Sequence, residues 1–365
     1  MKNIGLYLHI PFCKSKCPYC DFYSFSGRDT EKDEYTKALK DRISSSISTL
    51  QCKGDTLYIG GGTPSVLGAE NLKTLVDTCN SGFLTNDAEI TVECNPHGLN
   101  EDFFKVLFDC GVNRISLGLQ SAVDSERRIL GRLSDRNQVE NAVKMAQRVG
   151  FWNITLDVML GVPNQTEKSL NETLDFCISL GIPHISAYML KLEENTHFYK
   201  NQDKYNFPDD DLTADLYLQM CETLESNGIM QYEISNFSKK GFESRHNLKY
   251  WHCEEYLGLG PSAHSFLNGK RFYYDRNFKA FMNGNAPIDD GFGGDFTEYA
   301  MLNLRLVEGL SEEKVFNRFG HNIPKGIYEK SRIFVDNGYI NYNENGLKLT
   351  RKGFLMSNRI LAEIL

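Results

Sequence analysis

Four helical stretches in the first two-thirds of this chain end in the same way. Each stops at a glycine backed by a large apolar residue: Gly111-Val112, Gly150-Phe151, Gly181-Ile182 and Gly228-Ile229. Glycine supplies the left-handed backbone of a helix C-terminus, and the apolar residue folds back onto the last turn. A β-rich run then begins. Such runs fall at 56–59, 90–93, 114–119, 154–160 and 184–190, with helical patterns at about 69–79, 101–110, 135–149, 167–180 and 211–227. Strands alternating with helices build right-handed crossovers and a parallel sheet. An apolar run at 4–10 and a further strand expected at 231–234 bring the count to six or seven units, too few for a closed eightfold barrel. The fold class expected is therefore α/β, a partial (β/α)6-type parallel barrel.

Asn100, Ser134 and Thr166 stand where N-caps belong, and Thr30 is placed to cap a polar helix reaching about residue 50. Beyond Phe237 the rhythm stops. Residues 238–290 mix aromatic, glycine and polar residues without a period and read as an irregular segment. Helical character returns at 297–305, 311–319 and 325–337. Two short strands around the hairpin signal Asn345-Gly346 follow, then a last helix after Gly353. The division expected is a barrel over 1–237, the irregular segment over 238–290 and a C-terminal helical and hairpin domain, winged-helix-like, over 291–365.

That appendage has a shape that can bind DNA, but it lacks a dense basic stripe and the chain's net charge is −8. A packing role without nucleic acid is expected. The apolar runs are strand-length, so no transmembrane segment is expected. Met1-Lys2-Asn3 leads directly into a strand without a signal peptide's apolar core. Ten cysteines without such a signal point to a reducing, cytoplasmic setting.

Three of the cysteines form a C-x3-C-x2-C triplet, Cys13, Cys17 and Cys20, on a loop leaving the first strand. Thiolates suit iron–sulfur clusters, zinc or copper. A structural zinc site takes four protein ligands, and a fully protein-ligated 4Fe-4S cluster usually takes four cysteines. Three thiols suggest a cluster with one iron open to another ligand. The other seven cysteines show no second cluster spacing and read mostly as small core residues; Cys94 lies beside Glu93 and is assigned no role.

Gly60-Gly61-Gly62-Thr63-Pro64 follows the second strand, where glycines let backbone N–H groups approach an anion or carboxylate. Ligands of parallel α/β folds lie at the strands' C-terminal ends. The same edge gathers Glu93, Gln120 and Asp157, the last an acid inside the apolar run 154–160. Arg132, after a helical stretch starting near Asp124, is within reach of a carboxylate there.

Together these motifs resemble the radical S-adenosylmethionine (SAM) superfamily, and nearly the whole chain resembles its branch containing oxygen-independent coproporphyrinogen III oxidase. The blocks that match are Tyr7-Leu8-His9-Ile10-Pro11-Phe12-Cys13, Gly60-Gly61-Gly62-Thr63-Pro64, Glu93-Cys94-Asn95-Pro96, Gly118-Leu119-Gln120-Ser121, the run from Asp157 to Pro163, and Gly260-Pro261-Ser262-Ala263-His264. The resemblance implies that Cys13, Cys17 and Cys20 bind a 4Fe-4S cluster whose open iron is chelated by SAM. It implies too that Tyr7, Gly61, Gly62, Thr63, Glu93, Gln120, Arg132 and Asp157 line the SAM site.

Two departures separate this chain from the oxidases that it resembles. Phe22 stands where they carry a further cysteine, and they have a longer N-terminal segment ahead of the first strand. In addition, His246-Asn247-Leu248-Lys249-Tyr250-Trp251 matches an H-N-x-x-Y-W motif typical of the haem chaperones (HemW). That resemblance implies a haem carrier that passes its cargo to acceptor proteins. His246 would be an axial ligand, with His252 and His264 as neighbouring candidates, and Tyr250 and Trp251 would stack on the porphyrin. The alternative is oxidative decarboxylation of coproporphyrinogen III propionates. A homodimer is left open.

Overall fold

The computed structural model describes residues 3–365; Met1 and Lys2, which enter the expectation of no signal peptide, lie outside them. Six parallel strands cross one sheet in chain order: β1 (Asn3–Ile10), β2 (Lys53–Gly61), β3 (Leu84–Cys94), β4 (Arg114–Gln120), β5 (Asn153–Leu160) and β6 (His184–Met189). The crossovers carry α1 (Lys32–Ile47), α2 (Ala69–Asn80), α3 (Glu101–Asp109), α4 (Asp124–Ile129), α5 (Arg136–Val149) and α6 (Glu167–Ser179). β6 does not return to β1, so the barrel is open, as the unit count predicts.

Burial explains the layers. Every residue of β4 is buried, as in a sheet covered on both faces. α5 turns Val139, Ala142, Val143 and Ala146, three or four apart, onto the sheet. Gly111, Gly150, Gly181 and Gly228 all have positive φ. Val112, Phe151 and Ile229 each donate their N–H five residues back, to Leu107, Ala146 and Leu224. Asn100 and Thr166 cap α3 and α6. Ser134 does not cap α5. Asp135 does, in a capping box with Gln138, while Ser134 accepts hydrogen bonds from Arg127. Thr30 sits inside a short 3-10 turn before α1, whose N-cap Glu31 makes no side-chain capping hydrogen bond.

After β6 come α7 (His197–Lys200), α8 (Asp210–Ser226), β7 (Met230–Glu233) and β8 (Asn236–Ser238). The run expected as a seventh parallel strand is antiparallel instead. β7 turns straight back into β8, and β8 takes the place beside β6. A two-residue turn can join only antiparallel strands.

Residues 238–290 are not irregular. They form α9 (Arg245–Trp251), β9 (Tyr256–Leu259), β10 (His264–Leu267), β11 (Lys270–Tyr273), α10 (Phe278–Met282) and β12 (Ile288–Phe292). β9 pairs parallel with β1, and β10 to β12 extend the sheet antiparallel beyond it. Strands of four or five residues are too short to show a period in sequence. The chain ends in α11 (Phe296–Asn303), β13 (Leu310–Ser311), α12 (Glu312–Phe319), α13 (Lys325–Asp336), β14 (Ile340–Asn343), β15 (Gly346–Leu349), α14 (Arg351–Leu355) and α15 (Ser357–Ile364). β13, β15 and β14 make a separate three-stranded sheet, with the hairpin at the expected place. Thr350 caps α14 ahead of Gly353, which the helix includes.

Candidate functional site

β1 delivers the cysteine loop to the C-terminal edge of the sheet. The loop is stapled at its base by Cys13 N–H to Phe25 O (2.9 Å) and Phe25 N–H to Pro11 O (2.9 Å). The glycine loop after β2 closes on it: Gly62 N–H donates to Ile10 O and Thr63 N–H to Phe12 O, both at 2.8 Å. A Cβ at Gly62 would stand 2.7 Å from Phe12 O and 3.0 Å from the Cys13 sulfur, so only glycine allows this approach. Thr63 Oγ1 lies 3.6 Å from Cys13 Sγ, and Arg132 Nη1 lies 3.8 Å from Cys17 Sγ. Both polar groups thus stand against sulfurs that a metal would take as thiolates.

Arg132 is drawn in by Gly118, whose carbonyl accepts its Nη2 at 2.9 Å. A Cβ on Gly118 would meet that Nη2 at 2.6 Å. The Nε of Arg132 is shielded from solvent and has no partner, an open donor beside the cysteines. Gln120, with a φ of 70°, turns its amide toward Gly118.

Next along the edge, Glu93 accepts Tyr58 OH at 2.7 Å and Gly61 N–H at 3.2 Å. Burial pushes its carboxyl up to about 7, with the nearby Asp157 adding to the rise. Asp157 accepts Ser116 Oγ at 3.1 Å, and burial pushes it up to about 6. Tyr7 OH meets His9 Nδ1 at 3.0 Å, and His9 Nε2 donates to Tyr23 O at 2.8 Å, which fixes the imidazole tautomer. A cleft of about 270 Å³ is lined by Tyr7, His9, Phe22, Gly61, Glu93 and Arg276, with Ser262 at its side.

His9, Ser262 and Arg276 are site residues that the sequence reading passes over. Strand period would have found His9, which shares Tyr7's face of β1. Arg276 has no such signal, since it arrives from far along the chain.

No three His, Cys, Asp or Glu side chains among the described residues converge as ligands of a single metal ion. Thiols that each take a different iron of a four-iron cluster stand farther apart than ligands of one ion. The donor set, the glycine approach and the unpaired Arg132 Nε therefore fit a cluster with an anionic or carboxylate ligand. The remaining cysteines are buried, apart from the half-buried Cys52.

The second motif is split by the fold. His246 is fully buried; its Nδ1 lies 2.7 Å from Thr56 Oγ1 and its Nε2 2.7 Å from Tyr250 OH. The ring stacks on Tyr58 at 5.3 Å, and burial pushes its pKa down to about 3. In this arrangement both ring nitrogens of His246, the residue expected to offer one to haem iron, are engaged by Thr56 and Tyr250. Tyr250 does line a cavity, of about 480 Å³, with Tyr7, Tyr256, Ser262, His264 and Arg271. Trp251 is not in its wall; Arg305 lies 5.9 Å from the Trp251 ring, and Asn303 binds its carbonyl. His252 faces Glu308 at 3.6 Å.

A family model described as the radical SAM superfamily matches residues 7–177. A heme chaperone HemW of Bacillus subtilis (strain 168) is 34% identical over 98% of this chain and 98% of its own length. The heme chaperone HemW of Escherichia coli (strain K12) is 37% identical over 84% of this chain and 83% of its own. Among solved structures, the Escherichia coli coproporphyrinogen III oxidase (HemN) superposes with a TM-score of 0.85 at 21% identity. That alignment spans 99% of this chain and 90% of that one, a likeness of fold.

Proposed function

This chain belongs to the HemW family within the radical SAM superfamily, and from that membership we propose that it binds haem and hands it to haem-accepting proteins. The observation that carries the reading is the second, aromatic-walled cavity, which shares Tyr7 and Ser262 with the cleft beside the cysteines. A flat hydrophobic ligand is thereby held next to the superfamily's cofactors.

The family implies a 4Fe-4S cluster and SAM, which when bound supply one-electron chemistry. Cys13, Cys17 and Cys20 bind three irons. Gly61 and Gly62, which carry no side chain and whose N–H groups are already taken within the protein, would leave room for the methionine end of SAM, and Thr63 would flank it with its hydroxyl. Glu93 accepts from its ammonium group, Arg132 supplies positive charge beside the cluster, and Tyr7, Gln120 and Asp157 complete the wall. His246 acts in haem binding through Tyr250, which it holds by hydrogen bond, and Trp251 secures α9 against α11. Functionally, residues 1–237 hold the cofactors, 238–290 present the porphyrin face, and 291–365 close it through Glu298 and Leu302. Among the described residues no helix is long and apolar enough to cross a membrane.

Oxidative decarboxylation of coproporphyrinogen III remains the competing activity, and it draws on likeness of fold. In place of the oxidases' further cysteine, Phe22 projects 71% exposed at the cleft. The test uses anaerobically reconstituted protein and measures haem retention and protoporphyrinogen formation side by side. Stable haem without turnover is expected. Robust decarboxylation by a protein that retains no haem would reverse the assignment.

A further inference from the structure

The register of β9, β10 and β11 settles which side chains look into the second cavity. Phe266 stands opposite both Tyr256 and Arg271, and His264 opposite Tyr273. Residues in register lie on one side of a sheet, as do alternate residues of a strand. Tyr256, His264, Phe266, Arg271 and Tyr273 therefore share a face. Tyr7 joins it because its partner in the β1–β9 pairing is Gly258, two residues from Tyr256. Across the space stand Tyr250 from α9 and Glu298 and Leu302 from α11.

This face offers three chemistries at once. Its walls are the rings of Tyr7, Tyr250 and Tyr256, suited to a flat apolar ligand. Arg271 is its cation. The guanidinium packs 4.6 Å over Phe266 and pairs with Glu298, while its Nε is shielded and has no partner. His264 is its metal ligand. Its ring is stacked on Tyr273 at 5.1 Å and 21°, and it is exposed rather than sealed in. Neither of its nitrogens is engaged by a hydrogen bond among the described residues, in contrast to His246. The cavity volume, about 480 Å³, falls within the roughly 300–1,000 Å³ usual for small-molecule sites.

We infer that this cavity seats an iron porphyrin, with His264 as the axial ligand and Arg271 receiving a propionate carboxylate. The inference rests on the haem-carrier reading and deepens it. The Fe–N bond forms from the lone pair of the neutral imidazole and displaces a water from the iron, with no electron transferred. Partial burial and the charge of Arg271 lower the pKa of His264 against the pull of Asp290, which favours that neutral form. His246, directly behind Tyr250, is a positioning residue: it keeps Tyr250 upright against the cavity.

The experiment titrates haem into the full, cluster-reconstituted chain and reads affinity and Soret position for the unaltered protein, His264→Ala, Arg271→Gln and His246→Gln. His264→Ala is expected to shift the Soret band and weaken binding at least tenfold, with added imidazole restoring the spectrum. That rescue excludes misfolding as the cause. Arg271→Gln is expected to weaken binding of haem more than of its dimethyl ester, whose propionates carry no charge. His246→Gln is expected to keep the Soret position whatever its affinity. If His264→Ala binds haem with unchanged affinity and spectrum, or if only His246→Gln shifts the band, the inference fails while the carrier reading stands. An unaltered chain that binds no haem overturns both.

Discussion

Glu93 holds a carboxyl in a place that taxes its charge, between the Tyr58 hydroxyl and the Gly61 amide with Asp157 nearby. Its folded pKa, about 7, lies above the 4.5 of the free group. Between those two values the folded state holds a proton that the unfolded state has released, so stability falls as pH rises through that window and levels off above it. The ligand-free protein is therefore expected to lose on the order of 2 kcal/mol between about pH 4.5 and pH 7 through this group, moderated by solvent in the cleft. Glu93→Gln should flatten that slope in denaturant titrations run at several pH values. A slope unchanged by the substitution would assign the pH dependence elsewhere, with Asp157 the next group to test. His246 shows the opposite sign at the same scale. Burial keeps its imidazole neutral, and its two hydrogen bonds serve Thr56 and Tyr250.

At the scale of elements, two kinds of glycine do different work. Gly228 ends α8 with a φ of 73° and open space around an added Cβ. Gly228→Ala should therefore cost only about 1–2 kcal/mol of left-handed strain. It should leave cluster loading, measured as iron and sulfide per chain, unchanged. Gly62 is not in the left-handed region, yet an added Cβ would press on Phe12 O and Cys13 Sγ. Gly62→Ala should lower cluster loading severalfold even where the chain folds, because β2's loop can no longer close on the cysteine loop. Equal loading in the two variants would refute the close-approach argument. The same contrast explains what could be read early. A helix stop is encoded within a few residues, so Gly111, Gly150, Gly181 and Gly228 announce themselves. Met230 to Glu233 has a strand's composition, but its antiparallel direction depends on the turn and on β8, which no short window of sequence encodes.

Across the whole molecule, the sheet joins two cavities that no single segment builds. Tyr7 stands on β1 between them, bounded by the cysteine loop on one side and by β9 to β11 on the other. Tyr7→Ala is expected to weaken both SAM and haem binding, each by at least severalfold in separate titrations. Trp251→Ala, outside both walls, should leave SAM affinity unchanged. If Tyr7→Ala affected one ligand alone, the two cavities would not share a wall in function.

The amino-acid sequence by itself determined the parallel α/β core, the cysteine triplet and the glycine loop. These rest on local physics: a glycine C-cap, a strand-length apolar run, and thiols spaced within one loop. It also carried the family, through blocks ordered along nearly the whole chain. Only the tertiary structure decided what the later motif does. β9 joins β1 across some 250 residues of chain, and that pairing chooses which face of each four-residue strand looks inward. It draws Arg276 to the cleft and His264 to the cavity wall, and it seals His246 behind Thr56 and Tyr250. A histidine's neighbours in sequence do not tell whether its nitrogens are free, because the groups that occupy them arrive from other strands.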